Sequence, residues 1–227
     1  MTTEHTVRSF DDDLAAVERD VLRMGRHTQQ QLAALLAVLE TPEPIRAQGI
    51  IESDHRIDEL CEQVEREVQA VIARRQPMAE DLRGLMSLYG CSTDLERIGD
   101  HLKSSARRLL VLWDGDPDLE APELYAMAGQ VQSMLGDVLL AWEHRDPELA
   151  RQAWNRDVEV DRQYHRFVEA MMDTPDSEAG ISPSQVRVAF IAKSLERIGD
   201  HATNIAEDLV HWLTGERMVR STLDTPL

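Results

Sequence analysis

The 227-residue sequence has few aromatic residues, only two cysteines and no long apolar run, and each shortage excludes a class of protein. Cys61 and Cys91 are too few for a disulfide framework and too far apart for a CxxC metal site, so we expect a reducing compartment. The longest apolar run, residues 32–39, is well short of the roughly 18–20 residues that cross a bilayer. Residues 1–13 are polar and acidic, which argues against a signal peptide.

Positive charge is also scarce. The chain has 24 Lys and Arg residues against 42 Asp and Glu residues, and its formal net charge is -18. Nucleic acids and anionic lipids attract basic surfaces, so neither is an expected partner. The apolar content of 42% is nevertheless too high for a disordered chain. A folded chain of this charge favours cations as ligands, either metal ions or a basic surface of another protein.

Apolar and small residues recur in steps of three and four, which is the period of a helix that packs along one seam. The clearest seam begins at Leu85 and a second begins at Val188, whereas no stretch alternates with the period of a strand. Proline and glycine punctuation divides the chain into six predicted helices, with breaks at 41–44, 76–77, 115–117, 146–147 and 174–183. The pattern predicts an all-α fold.

A seven-residue sequence, LERIGDH, occurs at 95–101 and again at 195–201. An acidic pair upstream of each copy is repeated as well, so the duplication extends beyond the motif. A duplication of this kind indicates a repeated structural unit before it indicates a function, because each unit needs a neighbour to bury its apolar face. The sequence therefore predicts two tandem, structurally similar three-helix bundles, over residues 1–114 and 115–227.

Acidic residues recur at a spacing of four in both halves, which places the two members of each pair on one stripe of a helix. Two of them fall on the apolar seams, where an unpaired carboxylate would cost several kcal/mol. Helices that face each other could bring four carboxylates together in each unit. The pairs are Asp54 with Asp58, Glu96 with Asp100, Asp157 with Asp161, and Glu196 with Asp200.

Four converging carboxylates need cations to offset their repulsion. Arg97 and Arg197 each follow a motif glutamate by one residue, about 100° round the helix, so we expect them to point away from the acidic stripe. Ligand sets made of oxygen alone suit Mg, Mn, Ca or iron. A solvated acidic face is the alternative, and a single pair would favour it. Four pairs in register along the seams favour a metal site.

The motifs also contain two histidines and two glycines. His101 and His201 lie about 100° off the acidic stripe, so a structural or supporting role is expected rather than metal ligation. Gly99 and Gly199 are interior helix positions on the seam, where glycine costs up to about 1 kcal/mol relative to alanine. A close approach of two helices, or room for a metal ion, would explain them.

With these motifs the chain resembles the PhoU family of phosphate-transport regulators over about residues 10–214. The doubled LERIGDH carries the resemblance, together with DLR at 81–83 and NIAE at 204–207. The resemblance implies two similar three-helix bundles that bind Mg, Mn, Fe or Zn ions through the acidic pairs. In one respect the units differ: Lys103 stands where the second unit has Thr203. We therefore expect unequal metal affinities, or only one filled site. The implied ligands are Asp54, Asp58, Glu96, Asp100, Asp157, Asp161, Glu196 and Asp200.

The resemblance also implies a function. It predicts a cytoplasmic, non-enzymatic signalling adaptor that represses the phosphate-starvation response and modulates phosphate uptake. Its implied partners are the ATPase subunit of the phosphate ABC transporter and the sensor histidine kinase of a two-component system. These would recruit it to the inner membrane face, and a homodimer is expected. The alternative is a metal-dependent phosphohydrolase that uses the carboxylates, although the sequence contains neither a Walker A nor a GxSxG motif.

Overall fold

The structure is a computed structural model that describes residues 2–115, 122–172 and 182–218. Within these ranges the regular structure is helical and no strand occurs, which confirms the all-α prediction. No helix in the same ranges combines the length and apolar character that a membrane span requires. The helices are α1 (Thr2–Glu40), α2 (Pro44–Ser53), α3 (His55–Arg75), α4 (Glu80–Gly115), α5 (Pro122–His144), α6 (Pro147–Asn155), α7 (Asp157–Met172) and α8 (Pro183–Thr214).

Local sequence signals set several helix ends. Ser182 and Gln185 form a capping box at the start of α8, and Asp146 accepts hydrogen bonds from two backbone N–H groups at the start of α6. Gly215 ends α8 with φ of 75°, a left-handed conformation that glycine adopts without strain. The breaks predicted at 116–117 and 174–175 lie outside the described residues.

The predicted second helix of each unit is interrupted at one residue. Asp54 separates α2 from α3, and Arg156 separates α6 from α7. Both residues keep helical backbone angles, so the chain continues in nearly the same direction. No proline or glycine marks either interruption in the sequence. Each three-helix unit therefore contains four helical segments, and the acidic pair of its second helix lies at or just after the interruption.

The two LERIGDH helices, α4 and α8, pack against each other through the centre of the molecule. His101 lies against His201, whereas Gly84 near the start of α4 lies against Trp212 near the end of α8. The two helices are therefore antiparallel. Their seams are buried as predicted, and a single cluster of buried apolar side chains includes residues from all eight helices. This packing fixes α4 and α8 as the rigid supports of the acidic residues.

Candidate metal centre

The first acidic cluster lies where the α2–α3 interruption faces α4. Asp54 is 1% exposed, as its position on the apolar seam predicts. The Nζ atom of Lys103 donates to Oδ2 of Asp54 at 2.5 Å and to Oδ1 of Asp100 at 3.3 Å. A tethered ammonium group therefore bridges two of the four predicted ligands. It supplies in this cluster the positive charge that the sequence assigned to a metal ion.

The other two acids of this cluster feel the same charges. Burial raises the pKa of Asp58 above its usual value; the Asp54 carboxylate raises it further and the Lys103 ammonium lowers it. Burial also raises the pKa of Glu96, and Asp100 adds to this effect. The hydrogen bond to Asp54 raises the pKa of Lys103. The four carboxylates thus share one electrostatic site, in which Lys103 compensates Asp54, Asp58 and Asp100 while Arg97 lies 3.6 Å from Glu96.

The second acidic cluster contains no lysine at the matching position, since Thr203 stands there. One carboxylate oxygen from each of Asp157, Asp161 and Asp200 lies within 4.8 Å of the other two. Oxygen ligands bind Ca²⁺ at about 2.3–2.6 Å, so two ligands on opposite sides of an ion are up to about 5 Å apart. Asp157 is fully buried. The donor set is made of hard oxygens and its spacing fits a hard divalent ion.

Glu196, the fourth predicted ligand of this cluster, is directed elsewhere. Its Oε1 atom accepts from Nζ of Lys193 at 2.6 Å, and Arg197 lies 3.9 Å from its other oxygen. Arg197 also donates to Asp200 at 3.2 Å. The prediction that the motif arginines point away from the acids is therefore wrong. Arg197 reaches an acid one turn further along α8, and Arg97 lies 3.6 Å from Glu96, because residues three positions apart are neighbours on a helix and arginine side chains are long.

The two motif glycines leave room for the buried aspartates. A Cβ atom at Gly99 would lie 3.0 Å from Oδ1 of Asp54, and one at Gly199 would lie 2.9 Å from Oδ1 of Asp157. Both distances are shorter than ordinary contacts between carbon and oxygen. Each glycine is therefore required by the close approach of a carboxylate to the facing helix. This supports the first of the two explanations that the sequence offered, a close approach of helices, because the aspartate of the facing helix fills the space.

We expect Gly199→Ala to destabilise the fold by about 1–3 kcal/mol, because the new methyl group must displace the Asp157 carboxylate. The same displacement should weaken cation binding by the second cluster. Denaturant unfolding and a metal titration measure the two effects. Gly129→Ala is the matched control, since nothing lies within 4 Å of a Cβ at that helix position. Equal stability of the two variants would contradict the claim that Gly199 leaves room for the Asp157 carboxylate.

Comparison with known proteins places this geometry in a family. The PhoU domain profile matches the chain twice, at residues 21–109 and 124–209. The chain belongs to the PhoU family. Its resemblance to that family, first seen in the doubled motif, is thereby confirmed.

Relatives of known name align with nearly the whole chain. The phosphate-specific transport system accessory protein PhoU homologue of Caulobacter vibrioides is 38% identical over 95% of this chain and 94% of its own length. The protein of the same name from Zymomonas mobilis is 36% identical, over 96% and 92%. The crystal structure of PhoU from Pseudomonas aeruginosa superposes with a TM-score of 0.82 at 32% identity, covering 91% of this chain and all of the other. The PhoU regulatory protein of Streptococcus pneumoniae gives the same TM-score at 28% identity, covering 93% of this chain and all of the other.

Beside the PhoU acidic pairs lies a polar group that the sequence did not identify. Nδ1 of His201 lies 2.7 Å from Oδ1 of Asp94, and Nδ2 of Asn204 donates to the same oxygen at 3.1 Å. His201 thus bridges the two repeats instead of ligating a metal, which agrees with the expected structural role. In the first repeat, burial lowers the pKa of His101, and the neighbouring His201 lowers it further. The duplicated pattern did not identify Asp94, because the matching residue of the second repeat is Ser194 rather than an acid.

Proposed function

We propose that this chain is a metal-binding adaptor that represses the phosphate-starvation response and modulates phosphate uptake. The supporting observation is its full-length similarity to proteins named phosphate-specific transport system accessory proteins. It would link the ATPase subunit of the phosphate ABC transporter to the sensor histidine kinase of a two-component system. In this proposal it is a cytoplasmic homodimer, recruited to the inner membrane face by these partners.

The metal belongs mainly to the second repeat in this proposal. Asp157, Asp161 and Asp200 would hold a hard or borderline divalent or trivalent ion, with Mg, Mn, Fe and Zn as candidates. The bound charge would offset the repulsion of three close carboxylates and so fix the α7–α8 contact. In the first repeat Lys103 already performs this task for Asp54 and Asp100. In this proposal the bound ion has a structural role.

The adaptor proposal is tested by binding the purified chain to the two partners. We expect it to form a complex with the transporter ATPase and with the cytoplasmic part of the kinase, and to lower expression of a phosphate-starvation reporter when phosphate is ample. Loss of the chain should leave the reporter active at all phosphate concentrations. The proposal would be contradicted if neither complex forms and reporter expression is the same with and without the chain.

The rival function, metal-dependent phosphoester hydrolysis, is an outcome of a second assay. The metal-loaded protein is incubated with simple phosphate esters, beside Asp100→Ala and Asp200→Ala variants. The adaptor proposal expects no turnover from any of the three proteins. Turnover by the parent protein that both variants lose would replace the adaptor by a hydrolase.

A further inference from the structure

A cleft between α1 and α2 lies on a part of the first repeat that the acidic cluster does not use. Its volume is about 280 Å³, at the small end for ligand sites, so it suits a small ion rather than a nucleotide. Gly49 forms part of the wall and has no atom within 4 Å of where a Cβ would lie. The residues that line the cleft are His27, Gln30, Gln31, Ala34, Arg46, Gly49, Ile50 and Ser53.

The second repeat closes the corresponding place with its own side chains. At the offset of 103 residues, Ser53 matches Arg156 and Ala34 matches Asp137. Arg156 forms an ion pair with Asp137 and also donates to Oγ of Ser133, at 3.1 Å. An arginine thus crosses from the end of α6 to α5. Neither partner of this ion pair exists in the first repeat, where the side-chain contacts from α1 to α2 at the cleft are the hydrogen bonds of Gln31.

The described residues that line the cleft include an arginine and no carboxylate, although the chain as a whole is strongly acidic. His27 and Arg46 line the cleft. Burial lowers the pKa of His27, and the positive charges of Arg56, Arg23 and Arg26 lower it further. Arg46 pairs with Glu43 at 3.1 Å, but both side chains are about half exposed, so this contact is weak and leaves guanidinium donors for a ligand. At the same offset His27 matches Gln130 and Arg46 matches Leu149, so the second repeat lacks both the imidazole and the guanidinium group.

A buried amide on the cleft wall adds a hydrogen-bond requirement. Gln31 is 5% exposed, and its Nε2 atom donates to Oγ of Ser53 at 3.1 Å and to the carbonyl of Ile50 at 3.4 Å. A flipped amide would bring two acceptors together at Ile50, so this orientation is fixed. The Oε1 atom is then itself buried and has no hydrogen bond from any described residue. An acceptor of this kind is satisfied by a ligand that carries a proton.

We propose that the α1–α2 cleft binds a small oxyanion that carries a proton, the class to which monohydrogen phosphate belongs. Arg46 and His27 donate to the anionic oxygens, and Oε1 of Gln31 accepts the O–H group. Sulfate has the same size and charge but no O–H at neutral pH, so it meets only the first requirement. This inference goes beyond the proposed function, since it needs neither a bound metal nor a protein partner.

The test is a calorimetric titration of the full chain with inorganic phosphate, in the presence of a chelator so that metal-bound phosphate does not contribute. We expect saturable binding that is at least about tenfold tighter for phosphate than for sulfate. The double variant Ala34→Asp with Ser53→Arg installs the arginine and aspartate of the second repeat. It should weaken phosphate binding by at least about tenfold. Arg46→Ala gives a second, milder variant if the double variant does not fold.

The matched control is Asp137→Ala with Arg156→Ser, which removes the arginine and aspartate from the second repeat. It should leave phosphate binding unchanged, because that repeat has no counterpart of Arg46 or His27. No saturable phosphate binding by the parent chain would overturn the proposal, as would full binding by the folded double variant. Equal affinity for sulfate and phosphate would overturn the role assigned to Gln31 and the requirement for a proton. These binding results can be interpreted even if the adaptor assays fail, because they involve no protein partner.

Discussion

Replacing Lys103 with methionine is expected to destabilise the metal-free protein by about 3 kcal/mol at neutral pH. The substitution keeps the length of the side chain but removes the ammonium group that compensates Asp54, whose side chain is 2% exposed. Breaking a buried ion pair on one side leaves an uncompensated charge, which typically costs about 3–5 kcal/mol. The lower end applies here because the Lys103 side chain is 24% exposed. Denaturant unfolding with a chelator present measures the loss.

A divalent ion should reverse much of this loss. Without Lys103, the first cluster resembles the second, and an ion that binds the folded state raises stability by mass action. The matched control is Lys193→Met, since Lys193 pairs with the partly exposed cluster residue Glu196. We expect that control to cost less than about 1 kcal/mol. Equal stability of the two variants would contradict the cation role of Lys103. So would a Lys103→Met protein whose stability does not rise when a divalent ion is added.

Asp208→Asn is expected to stabilise the protein above pH 7 by about 4 kcal/mol. Burial raises the pKa of Asp208 from 3.8 to about 7, and the Asp94 and Glu207 carboxylates add to the shift. Each pKa unit corresponds to about 1.4 kcal/mol, and asparagine keeps the shape while removing the charge. Gly90 on the facing helix permits this packing, because a Cβ there would overlap the Asp208 carboxylate. Asp208 is therefore tolerated rather than stabilising at high pH.

The sign of the pH dependence follows from which state holds the proton. Between pH 4 and 7 the folded chain keeps the Asp208 proton, whereas the unfolded chain releases it near pH 3.8. The parent protein should therefore lose stability as pH rises through this window and level off above it. The advantage of Asp208→Asn should grow over the same window. Asp114→Asn, at an exposed position, is the control and should show no such trend. A constant difference between the Asp208 variant and the parent would contradict the assignment.

Much of the fold could be predicted because its signals are local. The three- and four-residue steps placed the seams of α4 and α8, and proline and capping residues placed the start of α6 and of α8. The placement of Asp54 and Asp157 in the interior also followed from their seam positions, and both are buried. The division at residue 114 stays a prediction, as do the ligand roles of the acids.

What could not be predicted depends on contacts between distant helices. Asp94 and Asp208 are more than one hundred residues apart in the sequence, and only the antiparallel packing of α4 and α8 brings them together. Lys103 reaches Asp54 through a flexible side chain that crosses from one helix to another. The sequence therefore showed a positive charge near the acidic motif but did not identify Asp54 as its partner. The pairing of Glu196 with Lys193 is local, three residues along α8, but the apolar periodicity did not show it.

The central claim is that the duplicated acidic clusters use different cations, a lysine in the first repeat and a metal ion in the second. Anomalous scattering from crystals of the parent protein soaked in Mn²⁺ tests it most directly, because manganese prefers oxygen ligands. The account predicts a peak among Asp157, Asp161 and Asp200, with Lys103 still in contact with Asp54. A peak beside Asp54 with Lys103 displaced, or no peak at the second cluster, would contradict it.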